Sequence, residues 1–164
     1  MTCSPDKFLG RRKGSYLLLI ELPEDHDIAV GSLGVVRFPR GDYAYVGSAL
    51  GGFKSRLNRH LRKEKIPKWH IDYLLRQDEV PKSHIDNRLQ RAALKSIIIC
   101  ETEERVECVI AQALRRRFES IPSFGSSDCK CPSHLFFTTG EKRLRNGIMM
   151  AIRSLTLEGR EIKC

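Results

Sequence analysis

The sequence predicts a small mixed α/β domain, and three observations carry that prediction. A continuous apolar run, Ser15–Leu22, is bounded by Gly14 and Pro23, as a buried strand would be. Phe53, Leu57 and Leu61 recur at four-residue spacing, the stripe of an amphipathic helix. Further strand-like segments lie on either side of a helical middle, the alternation expected of helices packed on one sheet.

Taken in order, residues 1–13 hold Lys7, Arg11, Arg12 and Lys13 with little periodicity and read as a loose basic arm. The single folded domain then spans 14–157, with 158–164 as a tail. After the first strand, Glu24–Asp27 is a charged turn, and Ile28–Val30 and Leu33–Phe38 form two short strands or one interrupted strand. Pro39-Arg40-Gly41-Asp42 turns the chain into a strand at Tyr43–Val46 that ends at Gly47, where Ser48–Gly52 must bend. Residues 53–64 form the amphipathic helix, which Pro67 closes, and Trp69–Leu75 form a shorter one. Residues 76–92 are polar and carry no clear pattern. Ser96–Cys100 is a strand. Thr102 reads as the N-cap of a helix with Glu103 and Glu104 in its first turn and Arg115–Arg117 near its last. Pro122–Pro132 is loop, His134–Thr138 a strand, and Arg143–Leu155 a final helix.

Composition narrows the classes. With 164 residues the chain is long enough for a core without disulfide staples. No apolar run approaches the roughly 20 residues that cross a bilayer, and Tyr16–Ile20 is too short for a signal-peptide core. A soluble, intracellular (cytoplasmic) protein follows as the expectation, its six cysteines read as thiols or metal ligands rather than a disulfide framework. The charge is +9, from 29 Lys and Arg against 20 Asp and Glu. Much of it is concentrated in Lys54, Arg56, Arg59, Arg62, Lys63, Lys65 and Lys68, opposed there only by Glu64. Such a run suits a polyanion, nucleic acid before membrane, or a solvated helix face. Lys54, Arg59, Arg62 and Lys63 are the candidate backbone contacts.

Two aromatic-glycine clusters mark candidate chemistry. Gly14-Ser15-Tyr16 opens the first strand and Tyr43-Ala44-Tyr45-Val46-Gly47 ends a later one. Arg56 and His60 are four apart and share a helix face. Strand tyrosines beside that pair assemble a phenol, a cation and a titratable base, although strand tyrosines also simply fill cores.

These residues resemble the GIY-YIG nucleases. The first motif of that superfamily matches Gly14-Ser15-Tyr16, the second Tyr45-Val46-Gly47, and its helical arginine Arg56; the histidine of some branches matches His60. The nearest resemblance is to an uncharacterised branch sometimes fused to endonuclease III. That branch carries the strings found here at Tyr45–Ala49, Trp69–Tyr73 and Ser127–Leu135, so the likeness covers about residues 14–139. It implies a central three-stranded antiparallel sheet flanked by helices, to which this chain adds a hairpin around 23–40 and a C-terminal strand and helix. It implies catalytic roles for Tyr16 and Tyr45 on the attacking water and for Arg56 and His60 on the phosphate. It also implies a glutamate on a later helix as ligand to Mg²⁺ or Mn²⁺. Glu107 lies on that helix and is the candidate ligand; alignment on the helix's apolar pattern offers Gln112 as the alternative occupant of the ligand position. Five residues along a helix turn about 500°, so the two point roughly 140° apart and cannot replace each other. An amide is a far weaker ligand for so hard an ion.

Asp128-Cys129-Lys130-Cys131-Pro132-Ser133-His134 forms a further cluster. Cys129, Cys131 and His134 are candidate Zn²⁺ ligands, with Cys108, His70 or Asp128 as a fourth; buried structural cysteines are the alternative. The same loop replaces the wall that the family builds around an asparagine, so Ser126, Ser127 and Asp128 become candidate contacts to substrate or metal. Gly47 and Ser48 are further candidates. In Trp69–Tyr73, His70 is a candidate general base or metal ligand, and Trp69 packs on the core or stacks on a base.

The expected function is therefore a metal-dependent endonuclease hydrolysing phosphodiester bonds in DNA, in repair or processing. The alternative is an inactive DNA-binding module that positions a partner repair enzyme such as a DNA glycosylase. A zinc-stabilised interaction domain is a third reading.

Overall fold

In the computed structural model, residues 10–76 and 92–164 are described. Residues 1–9 of the expected arm, Lys7 among them, and the polar stretch 77–91 lie outside them. The sheet is built on β1 (Gly14–Leu22), which pairs antiparallel with β4 (Gly41–Ala49) on one side and β5 (Ala93–Glu101) on the other. Beyond these lie β7 (Leu135–Thr138) and β6 (Glu119–Ser120) at one edge and β8 (Arg160–Lys163) at the other, in the order β6-β7-β4-β1-β5-β8. The sheet thus has six strands where three were expected. Part of the increase comes from the segment read as a tail, whose Ile162 pairs with Ile97 of β5. β2 (His26–Ala29) and β3 (Val35–Phe38) form the extra hairpin as a separate two-stranded sheet.

β1 is apolar without alternation because both faces of the sheet are covered. Tyr16, Leu18, Ile20 and Leu22 face a core with Phe53 and Leu57 of α1 (Phe53–Leu61), Ile71 and Leu74 of α2 (His70–Leu75), the hairpin, and Phe124. Leu17 and Leu19 face the opposite core. It contains Ile110 and Leu114 of α3 (Glu107–Arg115) and Leu144, Ile148 and Ile152 of α4 (Glu141–Ser154). Each leucine or isoleucine of β1 so buried contributes about 2 kcal/mol of transfer free energy.

Three of the boundaries that differ from expectation have a cause in plain view. β4 runs past Gly47 because Ser48 and Ala49 still pair with Ser15 and Gly14. α1 stops at Leu61 rather than 64: Lys65 folds back and its Nζ donates to the carbonyls of Arg59 and His60, 3.1 and 3.0 Å away, capping the helix. α3 begins at Glu107, five residues after Thr102. Thr102 cannot cap it, because its own N–H is held at the sheet by the Lys13 carbonyl, 3.2 Å away. Its hydroxyl instead accepts the Glu104 N–H, and Glu103 pairs with Lys13. Among the described residues, no helix is long and apolar enough to cross a membrane.

Candidate active site

A cavity of about 420 Å³ opens at the ends of β1 and β4, between the N-terminal part of α3, the loop 121–134 and the α1–α2 connection. Tyr16, Tyr45, Arg56 and Glu107 all line it, together with Gly47, Ser48, His70, Ser127, Asp128, Cys129 and His134. Gln112 is exposed and is not among the lining residues, as its angular separation from Glu107 on α3 requires.

The two tyrosines come together through strand register. Tyr16 pairs with Gly47, and the Tyr16 ring lies so close over Gly47 that any Cβ there would collide with it. This contact is the physical link between the two glycine-tyrosine motifs. The Tyr16 hydroxyl meets His60 Nε2 at 2.7 Å inside the core. Burial, then the neighbouring Tyr45, pushes the Tyr16 phenol well above its ordinary range despite Arg56. Burial likewise raises Tyr45. His60 moves the other way, down to about 3, through burial and the nearby Lys65 ammonium. At neutral pH the pair is an uncharged phenol on an uncharged imidazole. His60 therefore stands behind Tyr16 rather than beside Arg56 at the cavity wall, although both project from α1.

Arg56 lies over the Trp69 ring, 4.5 Å from its centroid, and Arg59 lies 4.7 Å from the same centroid. Arg59 is committed further: it donates to Asp72 Oδ2 at 2.6 Å and to the Ile66 carbonyl at 2.9 Å. Buried Asp72 also accepts the N–H groups of Lys68 and Trp69. Burial opposes its charge, but the Lys68 N–H, the Arg59 guanidinium and the Trp69 N–H outweigh it and hold the carboxyl below its ordinary range. Asp72 thus organises the α1–α2 connection and closes the first turn of α2. Among the expected backbone contacts, Lys54, Arg62 and Lys63 are exposed on or just after α1, whereas Arg59 is half-buried in this network.

His70 accepts the Gly125 N–H at Nδ1, 3.0 Å away. In the neutral ring the proton must then sit on Nε2, which makes His70 a hydrogen-bond donor toward an oxyanion rather than a base in this arrangement. Burial lowers its affinity for a second proton. Gly125 itself has φ +72, and a Cβ there would come within 2.9 Å of the Tyr45 ring. One glycine therefore sets both the tautomer of His70 and the seat of Tyr45.

Glu107 Oε2 is shielded from solvent and has no hydrogen-bond partner. Beside it, Cys108, Cys129, Cys131 and His134 form a Cys3His cluster whose ligand atoms all lie within 4.8 Å of one another. Of the possible fourth ligands, Cys108 joins it; His70 and Asp128 do not. Cys100, Cys108, Cys129 and Cys131 are free thiols, whereas Cys164 is disulfide-bonded, a departure from the expectation of thiols and metal ligands alone.

Lys68, Arg105 and Gly125 also line the cavity, and the sequence reading assigned them no site role. Lys68 was visible only as one more charge in a basic run. Arg105 was placed inside a helix that starts later, and Gly125 was one loop glycine among several.

Geometrically, this is an antiparallel α/β domain with a cleft lined by Arg56, Lys68 and Arg105 and set against a thiol–imidazole cluster. The chain belongs to the family described as domain of unknown function DUF123, whose model matches residues 15–157. Neither a curated protein nor a solved structure matches it.

Proposed function

We propose that the protein is a metal-dependent endonuclease of GIY-YIG type acting on phosphodiester bonds in DNA. The observation that carries this reading is the convergence of Tyr16, Tyr45, Arg56 and Glu107 on one cavity, with Gln112 outside it. Phosphodiester hydrolysis needs a positioned water, neutralised phosphate charge and support for the leaving oxygen. Glu107 and Asp128 present hard oxygen donors, and the buried Glu107 Oε2 without a partner fits a divalent cation such as Mg²⁺ or Mn²⁺. Bound there, such an ion supplies charge neutralisation and a more acidic water.

The chain's own groups do the rest. Arg56, already placed over the Trp69 ring, presents its guanidinium to a phosphate oxygen, supported by Lys68 and Arg105. Tyr16 and Tyr45 orient the attacking water by hydrogen bonds, the Tyr16 hydroxyl being itself anchored on His60 Nε2, and the proton of the water leaves to solvent. His70 donates from Nε2 to an oxygen that gains charge. Exposed Arg62 and Lys63 extend the attraction to flanking backbone. The Cys3His cluster suits Zn²⁺ and has no open ligand position, so its role is separate from the chemistry.

Nicking of supercoiled plasmid and branched DNA with Mg²⁺ or Mn²⁺ tests this. Cleavage that disappears in Arg56→Ala, Tyr16→Phe and Glu107→Gln is expected. Salt-sensitive binding without turnover in any divalent metal would select the positioning module instead.

A further inference from the structure

We propose that the Cys108–Cys129–Cys131–His134 cluster is a structural zinc centre that clips the walls of the cleft together, so that the cleft keeps its shape only while zinc is bound. Occupancy by zinc stands on the cluster itself; the bearing on catalysis rests on the nuclease reading above.

The donor set and its spacing select the ion. Zinc–sulfur bonds of about 2.3 Å in a tetrahedron put neighbouring ligand atoms about 3.7 Å apart. His134 Nε2 lies 3.3 Å from Cys129 Sγ and 3.9 Å from Cys108 Sγ. These two distances bracket the tetrahedral spacing, and all four ligand atoms lie within 4.8 Å of one another. His134 Nδ1 donates to the Val46 carbonyl at 3.1 Å, which fixes the proton there and leaves the Nε2 lone pair for the ion. Three soft sulfurs and an imidazole favour zinc over Mg²⁺ or Ca²⁺, and four protein ligands close the shell against substrate.

The ligands come from two places, α3 and the loop 121–134, and both build the cleft. Cys108 is the second residue of α3 and follows Glu107. Cys129 follows Asp128 on the loop between β6 and β7. His134 is tied to β4 by two bonds with Val46, next to Gly47 and its Tyr16 ring. Between Gly125 and Cys131 the loop is held by the Gly125 N–H on His70, by two weak contacts from Cys129 to the Ser126 carbonyl, and by the cluster contact of Cys129 Sγ with His134 Nε2. An ion at the cluster would set Glu107, Asp128 and Gly125 relative to one another from the far side of the wall.

The test uses the full chain with its Cys164 disulfide intact and the cluster thiols free. Elemental analysis after metal-free purification and zinc reloading should give one zinc per chain. Cobalt in its place should show the intense visible bands of a tetrahedral thiolate site. Cys131→Ser, whose side chain does not line the cavity, should lose at least tenfold in zinc affinity. Wild-type protein stripped with a chelator should exchange its Gly125 amide at least tenfold faster, and zinc, but not Mg²⁺, should restore protection. This second arm covers the case in which Cys131→Ser fails to fold. Absence of a tetrahedral cobalt spectrum, or Gly125 exchange indifferent to zinc, overturns the proposal. Zinc-loaded, protected protein without nicking activity would sink the nuclease reading and leave the clip standing.

Discussion

The Tyr16 hydroxyl lies 2.7 Å from His60 Nε2, and neither residue has more than a few per cent of its surface in water. A strand and the helix that follows β4 are thereby joined by one polar contact at the floor of the cleft. Removing the hydroxyl leaves the imidazole in place, so Tyr16→Phe should lower kcat for nicking by about a hundredfold, the scale of one hydrogen-bonding group positioned on the reacting water. DNA affinity should be unchanged; single-turnover kinetics beside a binding isotherm would separate the two.

His60 also links stability to pH. Its folded value of about 3 lies below its ordinary 6.5, so the unfolded chain binds a proton that the folded chain refuses between those limits. Stability is complete above the upper limit and falls as pH drops through the window, by up to about 1.4 kcal/mol per unit from this group. Denaturant midpoints between pH 7 and 4 should show that slope, and His60→Phe should flatten it. An unchanged slope in that variant would reject the assignment.

Because burial raises both phenols, nicking should keep accelerating with alkalinity from pH 6 to 9 without a limb from tyrosine ionisation. A plateau near neutrality that Tyr16→Phe abolishes would count against unionised phenols.

Glu107 and Gln112 should separate cleanly. Glu107→Gln should abolish Mn²⁺ binding at the cleft, followed by electron paramagnetic resonance. Gln112→Ala, at an exposed position, should leave binding unaltered and stability within about 0.5 kcal/mol.

The tautomer of His70 is directly observable. Nitrogen-15 spectra should show Nδ1 unprotonated and Nε2 protonated at pH 7. Gly125→Ala should shift that pattern, because the new methyl group would press on the Tyr45 ring. A His70 spectrum showing Nδ1–H would remove the donor role.

Much of the cleft could be read along the chain because its signals are local. Glycine beside tyrosine on strands, and arginine four residues before histidine on a helix, follow from the periods of the two structures. What could not be read depends on distance in sequence. The commitment of Arg59 to Asp72 spans 13 residues, and the bond from Gly125 to His70 spans 55. β8 has too few apolar residues to announce itself; only its partner β5 makes it a strand. The early start expected for α3 failed because a cap-like Thr102 was held by the sheet, a tertiary competitor that no local pattern contains.

The chain has a single tryptophan, and its indole is flanked by two guanidiniums at the rim of the cleft. Any phosphate that draws Arg56 away alters the electric field on that ring. The molecule therefore carries a native optical reporter: its ultraviolet emission should register occupancy of the cleft without a dye, a label or a turnover assay.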